Sequence, residues 1–217
     1  MLDLRSLKTA AGAFAMAGAA EAATLDQSFE AESPGIFFSV SGSAGLKAQS
    51  FTVGLDGVLE SVSVKIQSEG STKDDTELTV SIREVRSNGA LRNLLTRETV
   101  QPVVPLSLGF FNVAFSTRPT VSVGDTLAIV LEANGAAQSG GFQWFASGRR
   151  GVYDRGDSYR DDNTSGALGA LPSESQSRDF GFRTFVDANP TVIPLPAAAW
   201  LLIGGLGALG AVARRGA

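Results

Sequence analysis

Hydrophobic and polar residues alternate with a period of two along most of the middle of this chain. Within 59–67, Val62, Val64 and Ile66 point one way while Ser61, Ser63, Lys65 and Gln67 point the other. Leu78, Val80 and Ile82 alternate with Thr79, Ser81 and Arg83, and Leu127, Ile129 and Leu131 with Thr126, Ala128, Val130 and Glu132. Phe180 and Phe182 alternate with Gly181 and Arg183. Each run predicts a strand with one buried and one wetter face, as in an antiparallel sheet. Further strands are predicted over 36–40, 49–53, 94–100, 110–115 and 142–146. Turn signals separate them, among them Asp56-Gly57, Asn88-Gly89, Gly124-Asp125 and Asn134-Gly135. Pro102, Pro105 and Pro119 fall between strands, where a missing N–H removes no ladder bond. No soluble stretch has a helical period. The expectation is an all-β, jelly-roll-like antiparallel β-sandwich.

The two ends break this pattern. Residues 1–23 read as a secretory signal peptide. Arg5 and Lys8 precede an uncharged Ala-rich run, and Ala20-Glu21-Ala22 fits the small-x-small cleavage pattern, placing the cut after Ala22 or Ala23. Residues 193–213 carry no charge, and a helix of that length matches the hydrocarbon core of a bilayer. Arg214 and Arg215 follow and would hold the C-terminus in the cytoplasm. Gly205, Gly207 and Gly210 match the dinucleotide pattern G-x-G-x-x-G, but no acidic residue follows, and they read as packing glycines of a membrane helix. The β domain then spans 24–186, and 187–192 is a linker.

Composition narrows the chemistry. Among the 217 residues there is no His and no Cys. That removes His-based triads, thiol nucleophiles, thiolate zinc sites and disulfides. Setting aside the four basic and two acidic residues of the ends leaves 14 Lys+Arg against 20 Asp+Glu, a net charge of −6. Such a body repels nucleic acid and anionic lipid.

The tail Ile193-Pro194-Leu195-Pro196-Ala197, an apolar helix and Arg214-Arg215 resembles the VPLPA type of PEP-CTERM sorting signal, with Ile193 standing where that type has Val. The resemblance implies a Gram-negative host and processing by an exosortase after removal of the leader by signal peptidase. It also implies a link to exopolysaccharide and the outer surface. The body, with Gln49-Ser50-Phe51-Thr52-Val53, Thr79-Val80-Ser81-Ile82-Arg83, Val123-Gly124-Asp125-Thr126-Leu127 and Asp179-Phe180-Gly181-Phe182-Arg183, resembles the choice-of-anchor R domains of bacterial surface proteins over 49–186. That implies a jelly-roll-like surface module with a carbohydrate-binding role and no established activity.

Candidate chemistry concentrates in 147–178, a long segment where no strand is obvious and 151–160 reads as a small hairpin. Three readings compete there. Asp154, Asp157, Asp161, Asp162 and Asn163 offer hard oxygen ligands for Ca²⁺, although their spacing is not an EF-hand loop. Trp144, Tyr153 and Tyr159 offer apolar faces to pyranose rings of a polysaccharide. The third reading is a solvated loop of Arg–Asp pairs, with Trp144 packed in the core. Arg155-Gly156-Asp157 matches an adhesion tripeptide and Asn163-Thr164-Ser165 a glycosylation sequon, both short enough to arise by chance. No nucleophile elbow and no Ser-x-x-Lys is present, and no carboxylate pair stands out. The expectation is a non-catalytic surface module that binds polysaccharide. The alternatives are a structural envelope protein without a specific ligand and, more weakly, a Ca²⁺-dependent hydrolase.

Overall fold

The structure is a computed structural model. It describes residues 23–31, 35–41, 46–70, 72, 74–87, 89–134, 141–149, 152–160, 169–170 and 178–188. The predicted leader up to Ala22 (with Ala20), the sorting residues Ile193, Pro194, Leu195, Pro196, Ala197, Arg214 and Arg215, and the membrane helix lie outside them. So do Asp161, Asp162 and Asn163. Ala23 is described and immediately precedes the first strand.

Every regular element among the described residues is a strand: β1 (Thr24–Phe29), β2 (Ile36–Val40), β3 (Lys47–Thr52), β4 (Gly57–Ser68), β5 (Glu77–Val85), β6 (Leu91–Val100), β7 (Gly109–Ala114), β8 (Thr120–Val121), β9 (Thr126–Asn134), β10 (Phe142–Ala146), β11 (Ser158–Arg160), β12 (Gly169–Ala170) and β13 (Phe182–Asp187). They form two antiparallel sheets. Sheet A has the order β1-β13-β4-β10-β2, with β7 and β8 also paired to β4; sheet B has the order β12-β11-β3-β9-β5-β6. The all-β expectation therefore holds. Strands β1, β8 and β12 were not foreseen. In place of the hairpin read over 151–160, β11 pairs with β3 on one side and β12 on the other. The last strand takes Asp187 out of the predicted linker. Ala22–Pro190 make up one compact unit.

The alternation explains the core. The inward residues Val62, Val64 and Ile66 of β4, Leu78, Val80 and Ile82 of β5, and Leu127, Ile129 and Leu131 of β9 are buried in one cluster drawn from both sheets. Phe51 of β3 meets Phe182 of β13 across it, with ring centroids 5.9 Å apart. Gly124, at φ +94°, turns the chain between β8 and β9 in a conformation that L side chains rarely adopt.

The segment 152–157 bridges the sheets. Val152 N–H and Tyr153 N–H both donate to Asp179 Oδ2 at 2.9 Å. The Tyr153 ring stands edge-on to Phe182, with centroids 5.2 Å apart. Arg155 Nη1 donates to Gln27 Oε1 at 3.3 Å, and Ser50 N–H donates to Asp157 O at 2.8 Å. Gly156 is required by close approach: a Cβ there would sit 2.0 Å from Ser50 O. Gly156→Ala is expected to push this segment off β3 and to cost about 2–3 kcal/mol, in the range of other strained or overpacked substitutions. Urea denaturation of the variant beside wild type checks it.

Candidate functional site

The three aromatics selected from the sequence do not form a ring platform. Trp144 is fully buried, stacks on Phe180 at 4.4 Å and 20°, and donates its indole N–H to Gly181 O at 2.9 Å. The register of β10 decides this: Trp144 pairs with Ile66 and Phe38, so it shares their inward face, while Gln143 and Phe145 face out. Tyr153 is buried in the main core. Tyr159 is buried against Ala48 and Val130 in a second cluster on the other face of sheet B. Burial pushes both phenols above the usual tyrosine range. The sugar-stacking role expected of Trp144, Tyr153 and Tyr159 is therefore corrected: all three are packing residues.

Of the calcium candidates, Asp154 is exposed and Asp157 is tied through its backbone to Ser50. Among the described residues no three Asp or Glu side chains gather where they could hold a metal ion. The tripeptide Arg155-Gly156-Asp157 lies pinned against β3 and does not protrude. The acid on which the segment converges is Asp179, which was not singled out. Its Oδ1 lies 3.5 Å from Gln49 Nε2, while Gln49 Oε1 accepts from Phe180 N–H at 2.8 Å. Burial raises the Asp179 carboxyl above the ordinary aspartate range. The N–H groups of Tyr153 and Val152 and the Gln49 amide pull it back down. Beside this network the buried Ser158 Oγ has no hydrogen-bond partner. These groups are sealed from solvent and read as structural.

The outward face of sheet A is different. Strand parity places Lys65 and Gln67 of β4, Gln143 and Phe145 of β10, Phe37 of β2, Phe110 and Asn112 of β7, and Arg183 and Phe185 of β13 on one surface. Phe37 is exposed, and its ring lies 5.0 Å from that of Phe145. Gly35 leaves room for the Phe145 ring, which a Cβ would meet at 2.2 Å. Lys65 Nζ sits 5.0 Å from the Phe145 centroid and donates to Glu30 O at 2.6 Å. Arg183 lies over Phe110 at 3.9 Å and makes an ion pair with Glu30 at 2.7 Å. Farther along, Gln67 Nε2 donates to Gln143 Oε1 at 2.7 Å, and Ser63 Oγ donates to Asn112 Oδ1 at 3.0 Å.

No known protein family and no curated protein matches this chain.

The hydrogen-bond inventory of this face is therefore the best guide to what it can do. Each amide has one end fixed and the other open. Among the described residues, Gln143 Nε2, Asn112 Nδ2 and Gln67 Oε1 have no partner. The surface thus offers oriented donors and an acceptor beside an exposed ring on a stiff sheet. The sequence carried half of this signal, since it had already placed Lys65 and Gln67 on the polar face of β4. Missing was the register that sets Phe37 and Gln143 beside them.

Proposed function

We propose that this protein is a non-catalytic surface or extracellular-matrix module of a Gram-negative bacterium that binds polysaccharide on the outward face of sheet A. The observation that carries the reading is the pair of half-satisfied amides, Gln67 and Gln143, close to the exposed Phe37, with the half-satisfied Asn112 farther across the same face. A pyranose ring has an apolar C–H face for an aromatic ring and hydroxyls for amides, and such mixed surfaces suit it. Phe37 is the exposed ring of this surface, and the Phe145 ring beside it is buried. The sequence of the two ends supports the rest. Signal peptidase removes the leader near Ala22, and an exosortase processes the VPLPA-like tail after anchoring through 193–213. The repeated crossing of successive strands between the two sheets supports a jelly-roll-like connectivity.

The test is calorimetric titration of the full chain with a panel of bacterial and plant polysaccharides, with and without Ca²⁺. One polysaccharide is expected to bind saturably. Phe37→Ala should weaken that binding about tenfold, roughly 1.4 kcal/mol. Its cost to folding stability should be about 1 kcal/mol or less, because Phe37 is exposed and loses only its contact with Phe145. Absence of binding to every member of the panel by a folded chain would leave a structural envelope protein. For the tail, an intact C-terminus in mass spectra of the protein from its host would refute sorting-signal processing.

A further inference from the structure

At the β5–β6 end of the sandwich a second surface carries chemistry that the amide face does not use. A cleft of about 370 Å³ opens between the β5–β6 hairpin and the start of β9. That volume lies in the range of small-molecule sites, about 300–1,000 Å³. Its apolar floor includes Leu127, which is buried, and Leu95. Arg86 and Arg92 stand at its rim. In a body where acids outnumber bases, these two guanidinium groups have neither a hydrogen-bond nor an ion-pair partner among the described residues. Two carboxylates line the same cleft, Glu84 and Asp125, and both are already held. Glu84 Oε2 accepts from Asn93 Nδ2 at 2.9 Å, and Asp125 Oδ2 accepts from Ser122 N–H at 2.9 Å. Each keeps one oxygen without a partner.

We infer that this cleft binds a carboxylate-bearing sugar residue of the uronic acid class. The guanidinium fork matches a carboxylate with two parallel N–H···O bonds, which a lysine cannot reproduce. The free oxygens of Glu84 and Asp125 suit a ligand that also carries hydroxyl donors. They disfavour an anion without donors, such as fully ionised phosphate or sulfate. A pyranose ring lays its C–H face on Leu95, which is half-buried at the cleft. The site is separate from the amide face and does not depend on it.

The experiment is a ¹⁵N chemical-shift titration of the full chain with glucuronate and galacturonate. Glucose, galactose and inorganic phosphate serve as comparison probes. Expected are saturable shifts at Arg86, Arg92, Leu95 and Thr126 with the uronates, at least tenfold tighter than with the neutral sugars or with phosphate. Arg86→Gln combined with Arg92→Gln should weaken uronate binding tenfold or more while the remaining spectrum stays that of the folded protein. Arg92→Lys, which keeps the charge, should still lose several-fold because the fork is gone. The inference is overturned if neutral sugars bind as well as uronates, if phosphate binds equally well, or if the double variant binds like wild type. Uronate shifts confined to Phe37, Gln67 and Gln143 would overturn it too, by assigning acidic sugars to the amide face.

Discussion

Replacing Trp144 with alanine is expected to destabilise the protein by about 3–5 kcal/mol, the usual cost of emptying an aromatic site in a core. The melting temperature should fall by roughly 10 °C or more for a domain of this size. The side chain is fully buried, stacks on Phe180 and satisfies its own indole N–H at Gly181 O. Its loss removes packing from both sheets at once. Trp144→Phe keeps the stacking and should cost about 1–2 kcal/mol, because Gly181 O retains the Lys65 N–H as donor. Thermal melts followed by circular dichroism separate the two variants. A Trp144→Ala protein as stable as wild type would place the indole outside the core.

Asp179→Ala is expected to have the next largest effect, about 2–5 kcal/mol. It strips the acceptor from the N–H groups of Val152 and Tyr153, and a buried N–H left unpaired costs about 1–3 kcal/mol. It also removes one of the two acceptors of Gln49 Nε2, which keeps Ser50 O. Asp179→Asn keeps one oxygen for the N–H groups but turns an amide donor toward Gln49 Nε2, so an intermediate loss is expected. The pair also has a pH signature. Burial raises the carboxyl in the folded state, so the native protein holds this proton more tightly than the unfolded chain does. The stability it contributes is fully present below the unfolded aspartate range and is lost as pH rises through the folded value. Wild type should therefore gain stability relative to Asp179→Asn as pH falls through the carboxylate range. Above that range the difference should be flat. Urea midpoints for both proteins across the acid range measure it, and parallel curves throughout would contradict the assignment.

Much of the architecture was legible because β4, β5, β9 and β13 alternate cleanly. In β4, β5 and β9 the inward set is apolar; in β13 it is Phe182, Thr184 and Val186, with one polar member. The first strand was not legible, because in Thr24-Leu25-Asp26-Gln27-Ser28-Phe29 the inward position is filled by Gln27. That residue is a polar group whose N–H bonds to Thr184 Oγ1. Strand β11 is three residues long and gains its stability from pairing with β3, a contact no local pattern encodes. The binding surface was misread for a related reason. In Phe142-Gln143-Trp144-Phe145-Ala146 both parities carry an aromatic, so composition alone drew attention to the Trp. Only the register against β4 and β2 shows that Trp144 is inside and Phe145 outside. Asp179 was overlooked because its partners are backbone N–H groups, which have no sequence signature.

The pairing of β1 with β13 also bears on timing. Gln27 N–H and Thr184 Oγ1 meet although they are 157 positions apart in the chain. A polypeptide that emerges amino-terminus first, from a ribosome or through a secretion channel, must therefore hold its opening strand in waiting until the closing one arrives. Until then the β4 edge that later receives β13 has no partner, and the nascent protein stays threadable. Completion of the sandwich thus waits for β13, a delay written into the strand order and not into any single residue.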